Sequence, residues 1–297
     1  MLRAALLYLS RQRTLRRWVE TAKVLEPLTR RFVAGQTLEE ALTVCQRINA
    51  EGIAVTLDHL GENVSTALEA AASRDSARRS LEGIAVRRLN ATISIKLTQF
   101  GLDLGRPICV ANVRPLVEFA REIGSGIEID MESSQYVDPT LQIVRELHQE
   151  YGCVRAVIQA YLYRSERDIE RLNRERIPIR LVKGAYREPE TVAIETKSSV
   201  DRNFAMLARK LLQDGVDPAI ATHDDRMIAV ARGTPAETFE FQMLYGIRRE
   251  LQRHLVAKGY RLRLYVPYGD AWYPYFMRRL AERPANLFFL VKSLLRK

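Results

Sequence analysis

Thr92-Ile-Ser-Ile-Lys96, a glycine-containing loop and a helical stretch near Arg114 to Gly124, then Gly126-Ile-Glu-Ile-Asp130 form the passage on which the fold turns. Two short runs rich in branched apolar residues flank a segment of helical character. Two strands joined this way lie parallel, because a helical crossover returns the chain to the same edge of the sheet. The same unit repeats outward in both directions. Upstream, Ile53-Ala-Val-Thr-Leu57 precedes a helical stretch around Asn63 to Leu81. Downstream come a helix from about Pro139 to Glu150, the strand Val154-Arg-Ala-Val-Ile158 and a helix near Ser165 to Arg174. Ile177-Pro-Ile-Arg-Leu-Val182 then leads through a long loop to a helix near Asp201 to Gln213. Pro218-Ala-Ile-Ala-Thr222 is followed by a helix near Asp224 to Ala231, and Phe239-Glu-Phe-Gln-Met243 by one around Ile247 to Lys258. Arg261-Leu-Arg-Leu-Tyr-Val266 precedes a last helix around Tyr273 to Glu282.

Strand and helix thus alternate about eight times, which is the pattern of an α/β protein with parallel strands. Eight repeats favour a closed (β/α)8 TIM-type barrel over a doubly wound open sheet. The 297 residues suit one barrel with an appended piece. Residues 1–50 are read as an N-terminal helical extension and 51–297 as the barrel. Within the extension the apolar residues recur at helical spacing from about Leu15 to Asn49, Gly35 breaks the run, and Thr37 with Glu40 resembles a capping box.

Composition narrows the functional classes. At 47% hydrophobic and 28% charged residues the chain can bury a sizeable core. Its net charge of +10 attracts phosphate in nucleic acid, anionic lipid or a cofactor, but the arginines are scattered rather than clustered, which weakens a nucleic-acid reading. Cys45, Cys109 and Cys153 match no zinc spacing, and their odd number argues against a disulfide framework, so a reducing cytoplasm is the simpler setting. The apolar start, Met1 to Ser10, is too short to span a membrane and has no cleavage site after it. Followed by Arg11, Arg13, Arg16 and Arg17, it reads as a basic amphipathic helix that packs on the body or lies on an anionic membrane.

A barrel collects function where its strands end. Asp58, His59, Lys96, Asp130, Gln159, Lys183, Thr222, His223, Gln242, Tyr265 and Tyr268 all fall there. Any one of them could be polar only because loops are wet, but the set fits a site built from several strand ends. In the last helix Tyr275, Arg278, Arg279 and Glu282 share one side. Two adjacent guanidiniums match a carboxylate or phosphate, and Glu282 can orient either of them. Spacing alone equally allows an exposed helix with an i,i+4 ion pair. His59, His148 and His254 read as structural or surface residues, with no metal-ligand spacing between them.

The segment Tyr265 to Glu282 closely resembles the C-terminal signature of the proline dehydrogenase family. Ser94-Ile-Lys-Leu-Thr98, Ile129-Asp-Met-Glu132, Val157-Ile-Gln-Ala-Tyr161, Arg180-Leu-Val-Lys-Gly-Ala-Tyr186, Ala221-Thr-His223 and Phe239-Glu-Phe-Gln-Met-Leu244 resemble family segments in the same order. The length is similar to that of the monofunctional bacterial form. The resemblance implies a distorted barrel holding FAD at the strand ends, and a last helix carrying substrate-binding arginines. It implies oxidation of L-proline to Δ1-pyrroline-5-carboxylate, with hydride passing from C5 to flavin N5 and electrons passing to a membrane quinone. Arg278, Arg279 and Lys96 resemble the cations that bind the proline carboxylate. Tyr265, Tyr275, Tyr186, Ala185 and Leu244 resemble the wall around its ring. Asp130 resembles the acid that pairs with the site cation, and Glu282 the residue bracing the arginines. Gln159, Arg180, Val182, Lys183 and Gly184 are similar to contacts to the isoalloxazine. Thr196, Lys197, Thr222 and His223 are similar to contacts to the ribityl and phosphate portions. No residue is assigned as an acid or base, and no metal is expected. Arg187 departs from the aromatic residue expected after Tyr186. The absence of G-x-G-x-x-G after the first strand excludes Rossmann-type binding of the dinucleotide. Another cyclic amino acid such as hydroxyproline is the alternative substrate, and a non-catalytic anion-binding protein the alternative class.

Overall fold

The structure is a computed structural model that describes residues 31–61, 64–273 and 275. Eight parallel strands close into a barrel in strict chain order, β1 pairing with β2 and so on round to β8, which pairs again with β1. The strands are β1 Ala54–His59, β2 Ala91–Ile95, β3 Ile127–Ile129, β4 Val154–Gln159, β5 Ile179–Val182, β6 Ala219–Ala221, β7 Glu240–Leu244 and β8 Arg261–Tyr268. The helices are α1 Leu38–Ala50, α2 Ala67–Val86, α3 Arg106–Glu122, α4 Val137–Tyr151, α5 Ser165–Arg174, α6 Lys197–Asp214, α7 Asp225–Arg232 and α8 Arg249–Ala257.

The strand that decided the reading shows how the layers divide. Successive side chains of β3 point to opposite sides of the sheet. Ile127 and Ile129 join the apolar layer between strands and helices, together with Val55, Leu57, Ile93, Ile95, Ile179, Leu181, Phe241 and Leu264. Glu128, between them, bonds to Thr56 on β1 and Gln242 on β7. Neither strand neighbours β3, so those bonds cross the lumen. The main hydrophobic core is therefore an annulus outside the barrel, and the lumen is polar.

Helix boundaries follow capping and burial. Thr37 and Glu40 form the expected capping box of α1. Thr66 and Glu69 form a second box, which starts α2 at Ala67 rather than near Asn63, and buried Ala77, Leu81 and Ile84 carry it past Leu81 to Val86. The expectation for α3 is corrected most. It begins at Arg106, not near Arg114, and runs through Pro115. Proline in the first turn, here Pro107, gives up only an N–H that a helix start leaves unbonded. The buried face of Cys109, Asn112, Val113, Leu116 and Val117 continues unbroken across Pro115, so packing outweighs the one lost internal bond.

α1 packs against β1, β8 and α2. Ahead of it, the Ala34 N–H donates to the Pro267 carbonyl at 2.8 Å, and the Gly269 N–H to the Gly35 carbonyl at 3.0 Å. The seam between β8 and β1, which regular alternation would leave for a helix after β8, is thus filled from the other end of the chain. Residues 1–30 and the Arg278, Arg279 and Glu282 positions lie outside the described residues.

Candidate active site

The lumen is built in storeys. Near the N-terminal ends, Glu240 pairs with Arg263 at 2.9 Å, and Arg263 also donates to the Val55 carbonyl at 2.8 Å. One storey up, Glu128 takes a hydrogen bond from Thr56 at 3.1 Å and pairs with Arg180 at 3.1 Å. Gln242 Nε2 lies 3.1 and 3.2 Å from the two Glu128 oxygens. At the C-terminal mouth stand Asp58, Lys96, Asp130 and Tyr265.

These four and Arg180 form one chain of alternating charge. Lys96 Nζ is 3.3 Å from Asp58 and 3.3 Å from Asp130. Asp130 accepts from Tyr265 at 2.7 Å and pairs with Arg180 through its other oxygen. The Arg180 guanidinium also lies 5.3 Å from the Tyr265 ring centroid, within cation–π range. Asp58 is 2% exposed, Arg180 4% and the Lys96 side chain 22%, so the lysine is the member that opens onto the mouth.

Burial opposes the charges of Lys96, Asp130 and Arg180, and their neighbours decide the outcome. At Asp130 burial raises the pKa, but Arg180 and then Lys96 overcome it and hold the carboxyl below its ordinary value. At Lys96 burial lowers the pKa, but Asp58, Tyr265 and Asp130 reverse this and keep the ammonium well above its ordinary value. For the Tyr265 phenol, burial and the two aspartates act together and push it well up, so the hydroxyl stays a donor. Deeper in, burial raises Glu128, yet Arg180, Arg155 and Arg263 hold it below the ordinary carboxyl range.

A second group of strand ends, on β4 to β7, forms a more open rim. Gln159 Nε2 donates to the Glu132 carbonyl at 2.9 Å, and its Oε1 is 3.4 Å from the Ala185 N–H. After β5 the chain passes Val182 and Lys183 and then exposes Gly184, Ala185 and Tyr186. Gly184 sits at φ +117°, and a Cβ there would lie 2.2 Å from the Tyr161 ring, so only glycine lets the backbone lie flat on Tyr161. Lys183 is held by Asp201 and, at 2.8 Å, by Asp224; Lys197 also reaches Asp201 at 3.3 Å. Thr196 caps α6 by accepting from the Ser199 N–H. Thr222 Oγ1 accepts from the Asp224 N–H at 3.1 Å, and His223 Nε2 from the Leu244 N–H at 3.0 Å.

Lys96, Asp130, Tyr265 and Arg180 therefore meet in one cluster, while Gln159, Lys183, Gly184, Ala185, Thr196, Lys197, Thr222 and His223 ring the adjacent rim. Tyr275 is buried, at 7% exposure. Glu128, Gln242, Arg263, Arg155 and Glu240 are the interior residues that strand-end reasoning missed or left without a role. Parallel strands are normally apolar on both faces, and the alternation in Ile127-Glu-Ile129 and Arg261-Leu-Arg263 was the available signal. Among the described residues no cluster could hold a metal ion, and no helix is long and apolar enough to cross a membrane.

A sequence profile of the proline dehydrogenase family matches residues 41–292. The chain belongs to the proline dehydrogenase family. Proline dehydrogenase 1 of Bacillus subtilis strain 168 is 42% identical over 303 aligned positions, which cover 100% of both chains. The proline dehydrogenase of Deinococcus radiodurans is 41% identical and covers 91% of this chain and 90% of its own. Among solved structures, proline utilization A of Bdellovibrio bacteriovorus, inactivated by N-propargylglycine, superposes with a TM-score of 0.80 at 27% identity. That match covers 87% of this chain, which spans 33% of the longer protein. The chain is an oxidoreductase on a (β/α)8 barrel, and its charged mouth lies where such barrels place their chemistry.

Proposed function

We propose that this chain oxidises L-proline to Δ1-pyrroline-5-carboxylate with a bound FAD and passes the electrons to a quinone. The observation that carries the reading is the chain Asp58–Lys96–Asp130–Arg180 with Tyr265 at the barrel mouth. A zwitterionic amino acid with a small apolar ring needs a fixed cation for its carboxylate and an aromatic wall for its ring. Lys96, kept charged by two aspartates, supplies the first, and Tyr265 begins the second.

Arg278 and Arg279 complete the carboxylate clamp in this reading, and Glu282 braces them. Tyr275, Tyr186, Ala185 and Leu244 extend the wall, which orients C5 of the ring. Asp130 stabilises both cations beside the substrate.

The rim of β4 to β7 suits a flat, phosphate-bearing cofactor. Arg180 Nε is buried and has no acceptor among the described residues, which leaves a donor for a ring acceptor. Gln159, Val182, Lys183 and Gly184 would hold the isoalloxazine. Thr196 and Lys197, at the start of α6, would hold phosphate with Thr222 and His223, since a helix N-terminus presents N–H groups and positive potential. When bound, FAD supplies the two-electron acceptor. The protein's part is positioning and electrostatics. The basic N-terminal segment is the element that would contact anionic lipid from the cytoplasmic side, where the quinone is reached.

The purified protein should be yellow, and L-proline should bleach it without added oxygen. A colourless protein that stays colourless after incubation with FAD overturns the flavin reading. Failure to bind anionic vesicles at low salt overturns the membrane contact.

A further inference from the structure

Glu128 on β3 lies two residues before Asp130, which directly follows the strand, so both side chains enter the lumen. It is 2% exposed and one storey below the mouth. Enclosing a carboxylate inside a barrel is unfavourable unless its partners compensate fully, and apolar residues of similar volume often fill such a place at no loss of stability. Barrel interiors are commonly packed with Val, Ile and Leu. The lumen here carries a carboxylate instead, and its closest ion pair is with Arg180, at 3.1 Å.

Arg180 is gripped on two sides. Its NH2 group meets Asp130, and Ser94 Oγ at 3.4 Å. Its NH1 group meets Glu128 Oε2 at 3.1 Å and Gln242 Oε1 at 3.3 Å. Glu128 is itself braced by Thr56, by Gln242, and by Arg263 and Arg155 at 3.9 and 4.0 Å. Gln242 is tied in turn to Glu240 at 3.0 Å. A planar guanidinium held at two of its corners can neither rotate nor withdraw. The Asp130 side of this grip belongs to the mouth, whereas the Glu128 carboxylate lies behind it and pairs with Arg180 from below.

We propose that Glu128, braced by Gln242, is a positioning residue: it fixes the orientation and the local charge with which Arg180 meets the bound flavin. This rests on the flavin reading above. In that reading the effect of Glu128, which lies behind Arg180 and pairs with it, passes through Arg180, and that gives the inference its test.

The test uses purified holoenzyme carrying Glu128→Gln, Arg180→Met or both. Glu128→Gln should lower kcat about tenfold or more while KM for L-proline stays within about threefold, the signature of lost transition-state organisation rather than lost binding. The midpoint potential of the bound flavin should shift by at least the equivalent of a tenfold change, about 30 mV for a two-electron couple. In the Arg180→Met background the Glu128 change should add less than about twofold to either quantity, because its route is already cut. If Glu128→Gln does not fold, Gln242→Met removes one strut without stranding a charge, and it should move kcat and potential in the same direction by about threefold or more. A folded, flavin-loaded Glu128→Gln variant with a lower Tm but wild-type kcat and potential overturns the inference, as do effects that simply multiply in the double variant. A wild-type protein that takes up no flavin defeats the flavin reading and this inference together; a yellow wild type with a silent Glu128 variant defeats this inference alone.

Discussion

Tyr265 on β8 donates its phenolic hydrogen to Asp130, just past the end of β3, across 2.7 Å, a bond that spans the barrel mouth from wall to wall. The same hydroxyl lies 3.5 Å from Lys96 Nζ. One phenol thus ties the aspartate that serves two cations to the strand that leads into the C-terminal segment.

Tyr265→Phe removes that donor and keeps the ring. A hydrogen bond to a charged group contributes about 1.5–3 kcal/mol, and Asp130 keeps its other partners, so a loss near the lower end, about 1.5 kcal/mol, is expected in urea denaturation. With Asp130 less well anchored, kcat/KM for L-proline should fall on the order of tenfold. Wild-type values in both measurements would remove Tyr265 from the site.

Arg278→Met and Arg279→Met should each raise KM for L-proline about tenfold or more while flavin stays bound, since a carboxylate loses one arm of a bidentate clamp. The readouts are steady-state kinetics and the visible flavin spectrum. Unchanged KM in both variants would show that the pair binds something else.

Stability should fall in two stages as pH drops. His59 is half-buried, and that burial first of all lowers its pKa from the ordinary 6.5. A depressed folded-state value means stability present above the unfolded value and lost as pH falls through the folded one. The first decline should therefore begin below about pH 6.5. Asp130 and Glu128, held below 3.8 and 4.5 by their cations, obey the same sign and produce a second decline in the acid range. Tm measured from about pH 8 down to about pH 3 shows both, and His59→Gln should erase the upper step only. A wild-type Tm that is flat down to about pH 5 contradicts the His59 assignment.

Gly246 has φ +75°, and a Cβ there would stand 1.7 Å from the Arg31 carbonyl oxygen. The left-handed backbone alone costs a larger residue about 1–2 kcal/mol, and the clash adds to it. Gly246→Ala should lower Tm by several degrees and make the chain ahead of α1 the first point of protease attack. Wild-type resistance would mean that this approach is not maintained in solution.

The alternation of strand and helix carried most of the architecture, because the branched apolar residues that each strand packs under the helices, such as Ile127 and Ile129 or Ile179 and Leu181, mark it in the sequence. α5 was read to its true ends, Ser165 and Arg174, since Ile169 and Leu172 mark its one buried face. Pro115 hid the first two turns of α3, because a proline inside a helix looks like a start until the burial of Cys109 and Asn112 is known. In the site, Lys96, Asp130 and Tyr265 were visible as polar strand ends. Arg180 was assigned by family resemblance alone, because it sits mid-strand, where spacing gives no hint of function. Glu128, Gln242 and Arg263 were missed or left without a role for the same reason. Their meaning lies in cross-lumen contacts between strands distant in sequence, such as Gln242 with Glu128, 114 positions apart.

The placement of α1 over the β8–β1 seam has a kinetic consequence. This helix leaves the ribosome before every strand of the barrel, yet β8, one of the two strands it docks on, follows all the others. Closing the ring is the longest-range step in the chain and the one most opposed by entropy. Until β8 arrives, the exposed edge of β1 and the apolar face of α1 have only each other and α2. Ring closure and the full seating of α1 are then a single late event, and a circular permutant that links β8 to α1 and opens between two other strands would change the order of assembly without changing the barrel.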